Sequence, residues 1–332
     1  MKQVKWGVMS TANIAQTQFV PALKRAEKAE VVAIASRGAK VYAVAENLGI
    51  AKAYDSYEAL LNDEEIEAVY IPLPNDLHKQ WVMKAAQAGK HVLCEKPAAI
   101  HAADLEEMIT VCQQQGVQFM EAFMYQFHLQ HMRVKQLIEA GEIGEVKLYK
   151  SSHSFYFEQR DGNIRMDATK GGGAIWDVGC YSIHAMQVIL GKKVKAVTFN
   201  TVVDPATTVD VSAFGLVELD GGIHAMIDCS FDMTNRNEYE IIGTKGTIKV
   251  KHAFRPDVVS GNGQIVITNG TTERLEQIHG DIYQLEVDYF SQAVRSKEPL
   301  TAQHHLSREN VNILTAIHAS ATTKKRIQLG ED

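Results

Sequence analysis

Apolar and polar positions follow two alternating rhythms over roughly the first 120 residues. Short apolar runs at Val4–Met9, Glu30–Ala35, Ala68–Leu73, His91–Cys94 and Gln118–Ala122 read as strands. Helical spacing marks Ile14–Ala26, Val41–Leu48, Asn75–Ala88 and Ala102–Gln115, with a short helical start at Tyr57–Leu61. Gly89 and Gly116 stand just past two of these helices as C-caps. Strands alternating with helices at this spacing predict βαβ units in a parallel, doubly wound α/β sheet.

A helix over Leu129–Ala140 precedes a change of pattern. Val146–Phe157, Val194–Val203, Val209–Leu219 and His224–Phe231 are longer runs with partial period-two alternation. Asp220-Gly221-Gly222, Gly243–Gly246 and Asn269-Gly270 are turn signals. A mainly antiparallel open sheet is expected, with one helix after Gly179 and helices at Tyr283–Arg295 and Ser307–Thr322. The expected domains are therefore residues 1–122, α/β, and residues 123–332, α+β.

The length of 332 residues suits two cores. A net charge of −6 gives no electrostatic case for nucleic acid. No apolar stretch reaches the roughly 20 residues that span a bilayer, and a strand at Val4–Met9 leaves no room for a signal peptide. Four scattered cysteines, none in a CxxC spacing, read as buried free thiols in a reducing cytoplasm.

Candidate chemistry begins after the first strand. In Gly7–Ala15 the slots of a dinucleotide fingerprint fall on Ser10, Ala12 and Ala15, with Thr11, Asn13 and Ile14 between them. A tight βα turn is the plainer reading. Its place, opening a helix whose N-terminus can hold phosphate, favours the fingerprint. The second strand ends in Ser36-Arg37, where an acid would select NAD(H) by binding the ribose 2′-OH. A guanidinium there suits a 2′-phosphate, so NADP(H) is expected, with NAD(H) a weaker ligand. The third strand runs into Leu73-Pro74-Asn75, followed by His78. This turn either caps the next helix or covers the ribose and nicotinamide; His78 reads as packing or capping rather than catalysis.

Glu95-Lys96-Pro97 follows the fourth strand directly, so Lys96 stands at a carboxyl end, where open parallel sheets bind ligands. About eighty residues on, Gly171–Tyr181 places Asp177 and Tyr181 beside glycine turns. The two segments are expected to form one active site. Asp177 reads either as a substrate-site acid or as the N-cap of the helix carrying Tyr181. Tyr156, Arg160 and Arg165, just upstream, read as substrate contacts or as a mobile surface loop. His184 reads as packed in its helix. No His, Cys and acid set has metal spacing, so no catalytic metal is expected.

Taken in order, the Gly7–Ala15 turn, Pro74-Asn75 with His78, Glu95-Lys96-Pro97 and Gly171–Tyr181 resemble the glucose–fructose oxidoreductase / inositol dehydrogenase / rhizopine-catabolism (Gfo/Idh/MocA) family. The resemblance implies a Rossmann domain for NAD(P) and an α+β domain whose open sheet forms the interface of a homodimer or homotetramer. It implies a dehydrogenase acting on one carbinol of a sugar, cyclitol or related polyol. It gives Lys96 a substrate hydrogen bond and Asp177 a place in the substrate site. Tyr181 stands where inositol dehydrogenases carry the catalytic His, and this points to the dimeric dihydrodiol dehydrogenase and xylose dehydrogenase branch. Gln126 replaces an Arg of many relatives.

A phenol ordinarily titrates near ~10, and a neighbouring ammonium favours its ionised form. Tyr181 is therefore expected to be the acid/base, with Lys96 as its electrostatic partner. Two rivals remain: oxidation of a trans-dihydrodiol by the same residues, and a non-catalytic NADP-binding sensor.

Overall fold

The computed structural model describes residues 2–330. The chain divides into two compact units: residues up to Met124 with Tyr283–Arg308, and Tyr125–Ile282 with the chain from Glu309 onward. The first unit thus takes in a segment from late in the chain, which a boundary in chain order near residue 122 does not provide for.

The first unit is built on six parallel strands: β1 (Val4–Met9), β2 (Ala29–Ala35), β3 (Lys52–Tyr54), β4 (Ala68–Ile71), β5 (His91–Glu95) and β6 (Phe119–Ala122), in the order β3-β2-β1-β4-β5-β6. β4 and β6 are buried at every position and β5 at its centre, which is why they read as apolar runs, broken in β6 only by Glu121. β3 has only half-buried residues and no apolar run, so sequence periodicity does not reveal it. Helices α1 (Val20–Arg25), α2 (Lys40–Leu48), α3 (Tyr57–Leu61), α4 (Asn75–Gln87) and α5 (Ala102–Gln114) connect the strands. A π-helical turn at Ala15–Phe19 leads into α1. The strand order reverses between β1 and β4, the switch point at which doubly wound sheets bind their ligands.

After α6 (Leu129–Glu139) the second unit begins its sheet at β7 (Val146–Tyr156), and α7 (Cys180–Leu190) follows. The remaining strands are β8 (Val194–Val203), β9 (Asp210–Leu219), β10 (His224–Ser230), β11 (Asp232–Gly243), β12 (Gly246–Lys251), β13 (Asn262–Asn269), β14 (Thr272–His279) and β15 (Ile327–Gln328). Their order is β14-β13-β12-β11-β7-β10-β9-β8-β15. The sheet is antiparallel except for the β7–β10 pair, which is parallel. One face is buried through Tyr149, Ala213, Val217, Ala225, Ile227 and Tyr239; the other leaves Phe214, Leu216 and Met226 exposed.

Late in the chain come α8 (Ile282–Ser296) and α9 (Thr301–Thr323). α8 packs back on the first unit: the Trp6 indole N–H donates to Ser291 Oγ at 3.1 Å and its ring lies 5.5 Å from Phe290. Arg295 closes the same corner with a two-pronged bond to Glu67 at 2.6 and 2.7 Å. That guanidinium, more than any other neighbour, holds the Glu67 carboxyl down at about 2.

Candidate functional site: nucleotide turn, lysine strand end and tyrosine helix

The turn after β1 is closed by its own side chains. Ala12 N–H donates to Ser10 Oγ at 2.9 Å, and Gln16 Nε2 donates to Thr11 O at 2.7 Å. Ser10 thereby performs, by a hydrogen bond, the tight turning that glycine gives in the usual fingerprint. Thr11 Oγ1 donates to Ser36 Oγ at 3.2 Å, joining the ends of β1 and β2. Asn13 is exposed and Ile14 half-buried. Arg37 is exposed beyond Ser36. The Tyr57 phenol hydrogen-bonds the side chains of both Arg37 and Ser10. Burial raises that phenol above its ordinary value while Arg37 pulls the other way. Ser10, Thr11, Ser36, Arg37 and Tyr57 make a small polar cluster at the carboxyl ends of β1 and β2, donors that could hold an anionic nucleotide. Tyr57 is missed from sequence because it opens a short helix with no motif around it.

At the end of β5 the Lys96–Pro97 peptide is cis. Glu95 accepts from the Tyr70 hydroxyl at 2.5 Å and from Lys96 N–H at 3.3 Å. Lys96 is half-buried. His78 is fully buried, with Nδ1 2.9 Å from Pro97 O and Nε2 2.8 Å from Leu73 O. It ties the Leu73-Pro74-Asn75 turn to the Lys96-Pro97 turn, a bracing role, and burial lowers its pKa. Leu73 is buried, Pro74 and Asn75 half-buried. Asn75 begins α4, but the residue before the helix, Pro74, provides no side-chain cap.

In the second unit a π-helical turn at Ile175–Gly179 leads into α7. Such turns inside helices are frequent at functional sites. Asp177 lies on it and Tyr181 one turn on. The glycines ahead of them have steric causes. A Cβ on Gly172 would lie 2.6 Å from Arg165 O, and one on Gly173, whose φ is +120°, 2.2 Å from Asp210 Oδ1. Asp210 takes that space because Oδ2 accepts from Ile175 N–H at 2.8 Å, with Ala174 N–H a further donor. The cap of this helix is thus Asp210, a residue that sequence spacing does not reveal. Asp177 is instead paired with Arg165 at 2.7 Å.

The Tyr181 ring is held among the rings of His153, Phe254 and Tyr125, at 5.1, 5.7 and 5.8 Å between centroids. His184 is buried, its Nδ1 2.6 Å from the Tyr125 hydroxyl, and burial lowers it to about 3. Arg160 donates to Phe157 O at 2.9 Å and pairs with Asp232, tying its loop to the sheet, while Tyr156 is exposed. The structure thus brings Arg165, Asp177 and Tyr181 onto one short segment and sets Arg160 in a separate ion pair. Among the described residues no group of His, Cys, Asp or Glu is arranged to hold a metal. No helix among them is long and apolar enough to cross a membrane.

Residues 4–123 match the model of an oxidoreductase family with an NAD-binding Rossmann fold, and residues 131–249 match the Gfo/Idh/MocA C-terminal domain. The chain belongs to the Gfo/Idh/MocA family of oxidoreductases. It is 38% identical to D-xylose 1-dehydrogenase (NADP(+)) 2 of Haloferax volcanii, covering 98% of this chain and 99% of that one. It is 32% identical to trans-1,2-dihydrobenzene-1,2-diol dehydrogenase of Xenopus tropicalis over 78% of this chain and 79% of that one. Among solved structures it resembles a 3-ketoreductase from Actinomadura kijaniata in complex with NADP and TDP-benzene. The TM-score is 0.91 at 29% identity, covering 96% of this chain and 98% of that one.

Burial raises the Asp210 carboxyl from 3.8 to about 7, against the pull of its N–H donors. Between those values the folded chain keeps a proton that the unfolded chain releases. Its contribution to stability is complete below pH 3.8 and is lost as pH rises to about 7. Asp210→Asn should cost about 1 kcal/mol at pH 4 through its weakened bonds; the wild type's own loss as pH rises from 3.8 to about 7 is larger, so the variant should be the more stable of the two by pH 8. Chemical denaturation of both proteins across this range checks it; a gap independent of pH would contradict the assignment.

Proposed function

We propose that the chain is an NADP(H)-dependent dehydrogenase of a free sugar, most simply an aldose, working in the cytoplasm as a homodimer or homotetramer. The observation that carries this reading is Lys96 fixed directly past β5, on the ligand-binding edge of the sheet, by the Tyr70–Glu95 and His78 contacts. The relatives named above support a sugar or diol carbinol as the reacting group. All four cysteines are buried free thiols, in keeping with a reducing compartment.

Charge favours a free sugar over a nucleotide sugar. Between His153 and Asp177 the cations are Arg160, Arg165 and Lys170. Each already faces an acid: Asp232, Asp177 and Asp167 respectively. That leaves the segment no surplus positive charge for a diphosphate, and suits neutral hydroxyls.

The nicotinamide supplies hydride chemistry, and the protein positions the carbinol and moves one proton. On this reading the Tyr181 phenolate takes the proton of the reacting hydroxyl, and its ring is kept from turning by His153, Phe254 and Tyr125. The Lys96 ammonium lowers the cost of the phenolate and donates a hydrogen bond to the substrate oxygen. Asp177 orients through Arg165 or takes a neighbouring hydroxyl. Ser10, Thr11, Ser36, Arg37 and Tyr57 hold the 2′-phosphate end of the cofactor, with Ala12, Asn13 and Ile14 along the turn.

Purified protein with NADP⁺ and a panel of aldoses, inositols, a trans-dihydrodiol and a dTDP-keto sugar should turn over an aldose fastest. Tyr181→Phe should lower kcat by ~10²–10⁴-fold, and Lys96→Ala at least as much, with little change in NADPH affinity. Tight NADPH binding without turnover of any member would favour the sensor reading instead.

Arg37→Ala should raise the Kd for NADPH at least tenfold, since it removes a charged hydrogen-bonding fork worth about 1.5–3 kcal/mol, and should leave NADH nearly unaffected. Isothermal titration with both cofactors decides it, and equal losses would move the 2′-phosphate elsewhere.

The exposed Phe214, Leu216 and Met226 lie on neighbouring strands, Leu216 directly opposite Met226. A second copy of the same face would cover them. Light scattering should give at least a dimer at micromolar concentration, and Leu216→Asp should shift it to monomer. A wild-type monomer under those conditions would exclude the interface.

A further inference from the structure

Glu121 is an unusual residue to find in the middle of β6. It is 3% exposed, and its strand neighbour across the register is Cys94. One carboxyl oxygen accepts from Ala98 N–H at 2.8 Å, and the Ser307 side chain on α9 donates to the carboxyl as well. The other oxygen, Oε2, has no hydrogen-bond partner among the described residues. Ala98 is the second residue after Lys96, so the Glu121 carboxyl grips the far side of the turn that Glu95 grips on the near side. A carboxyl with this little solvation costs several kcal/mol to ionise unless a cation answers it. The cation within its field is Lys96.

We propose that Glu121 is a positioning residue for the reaction, fixing the Lys96–Ala98 turn through Ala98 N–H and setting a negative charge behind the Lys96 ammonium. The inference rests on the reading of Lys96 as the electrostatic partner of the acid/base. The groups facing Glu121 are Lys96 and Glu95 from the end of β5, Cys94 within β5, and Ser307 from α9; Glu286 on α8 faces Glu95 in turn. Burial is the largest influence and lifts the carboxyl to about 7, with Lys96 and the two hydrogen bonds opposing it. Glu121 thus changes its charge near neutral pH, and each loss of that proton favours the ammonium form of Lys96.

The experiment compares full-length wild type, Glu121→Gln, Glu121→Asp and Lys96→Ala, with NADP⁺ and the best aldose of the panel. Glu121→Gln should lower kcat about 10- to 100-fold, the scale of a misplaced reactive group, with the Kd for NADP⁺ within twofold of wild type. Glu121→Asp should recover part of the loss. A second readout does not use turnover: the rate at which the Lys96 amine is reductively methylated, followed by mass spectrometry from pH 6 to 10. In wild type that rate should bend near pH 7, as Glu121 ionises, whereas Glu121→Gln should lose the bend and methylate faster above pH 7, the two curves converging towards pH 6 where Glu121 holds its proton. A wild-type curve without the bend would overturn the proposal, even if Glu121→Gln fails to fold. So would a Glu121→Gln enzyme with wild-type kcat and methylation. If Lys96→Ala itself keeps normal kcat, the catalytic reading of Lys96 falls, whereas the methylation result still stands or fails separately.

Discussion

The main-chain N–H groups beside both candidate site segments are held by carboxyls taken out of water. Asp210 holds Ile175 N–H ahead of Asp177 and Tyr181, and Glu121 holds Ala98 N–H just after Lys96. A surface acid could make the same bond, but its side chain would keep rotating and water would compete for the donor. Burial removes both alternatives, at the cost of an acid reluctant to ionise, and both carboxyls are accordingly lifted to about 7. Around Asp210 the cost reaches into the sequence. Its oxygen fills the space a side chain at position 173 would need, so Gly173 follows from Asp210. Part of the glycine segment is therefore explained by packing, independent of any contact with substrate.

This distinction governs how much of the site is legible in the sequence. Lys96 is legible because a buried strand ends on it, and strand ends of a parallel sheet are where ligands go. Tyr181 and Asp177 stand out because glycines crowd in front of them. Asp210 and Glu121 are hidden: each lies inside a strand far along the chain from its partner, and no local spacing links 121 to 98 or 210 to 175. Tyr57 is hidden for the same reason, since its hydrogen bonds to Ser10 and Arg37 cross between loops. The strands follow this rule too. β4 and β6 announce themselves by unbroken burial, while three-residue β3 exists only through its pairing with β2. The pairing around β7 is equally illegible. Periodicity shows that β7 has a buried face, but its parallel partner β10 and antiparallel partner β11 are set by how the chain returns.

His78 shows a sequence motif whose residue types are right and whose chemistry is easily misjudged. A histidine three residues past the Leu73-Pro74-Asn75 turn, on an expected nucleotide-binding edge, invites a role toward the ligand. In the fold both ring nitrogens face main-chain carbonyls, those of Leu73 and Pro97. A neutral imidazole donates from one nitrogen only, so one carbonyl is served at a time unless the ring is charged. Burial opposes that charge. The residue is best understood as a brace between two loops, with geometry rather than proton transfer as its contribution.

The choice of tyrosine at position 181 gives these braces their importance. An imidazole ordinarily titrates near ~6.5 and needs little help to serve as a base at neutral pH, whereas a phenol near ~10 needs a cation close by. On the proposed mechanism the burden of lowering the phenol falls on Lys96, and the lysine must then be both charged and fixed in place. Charge and position are separate requirements. Glu95, backed by Tyr70, and His78 fix the turn by direct hydrogen bonds. Glu121 meets both requirements with one carboxyl, because its bond to Ala98 and its field on Lys96 grow together as it loses its proton. On this proposal the electrostatic support of the lysine lies one layer behind it, in β6, the strand paired with β5.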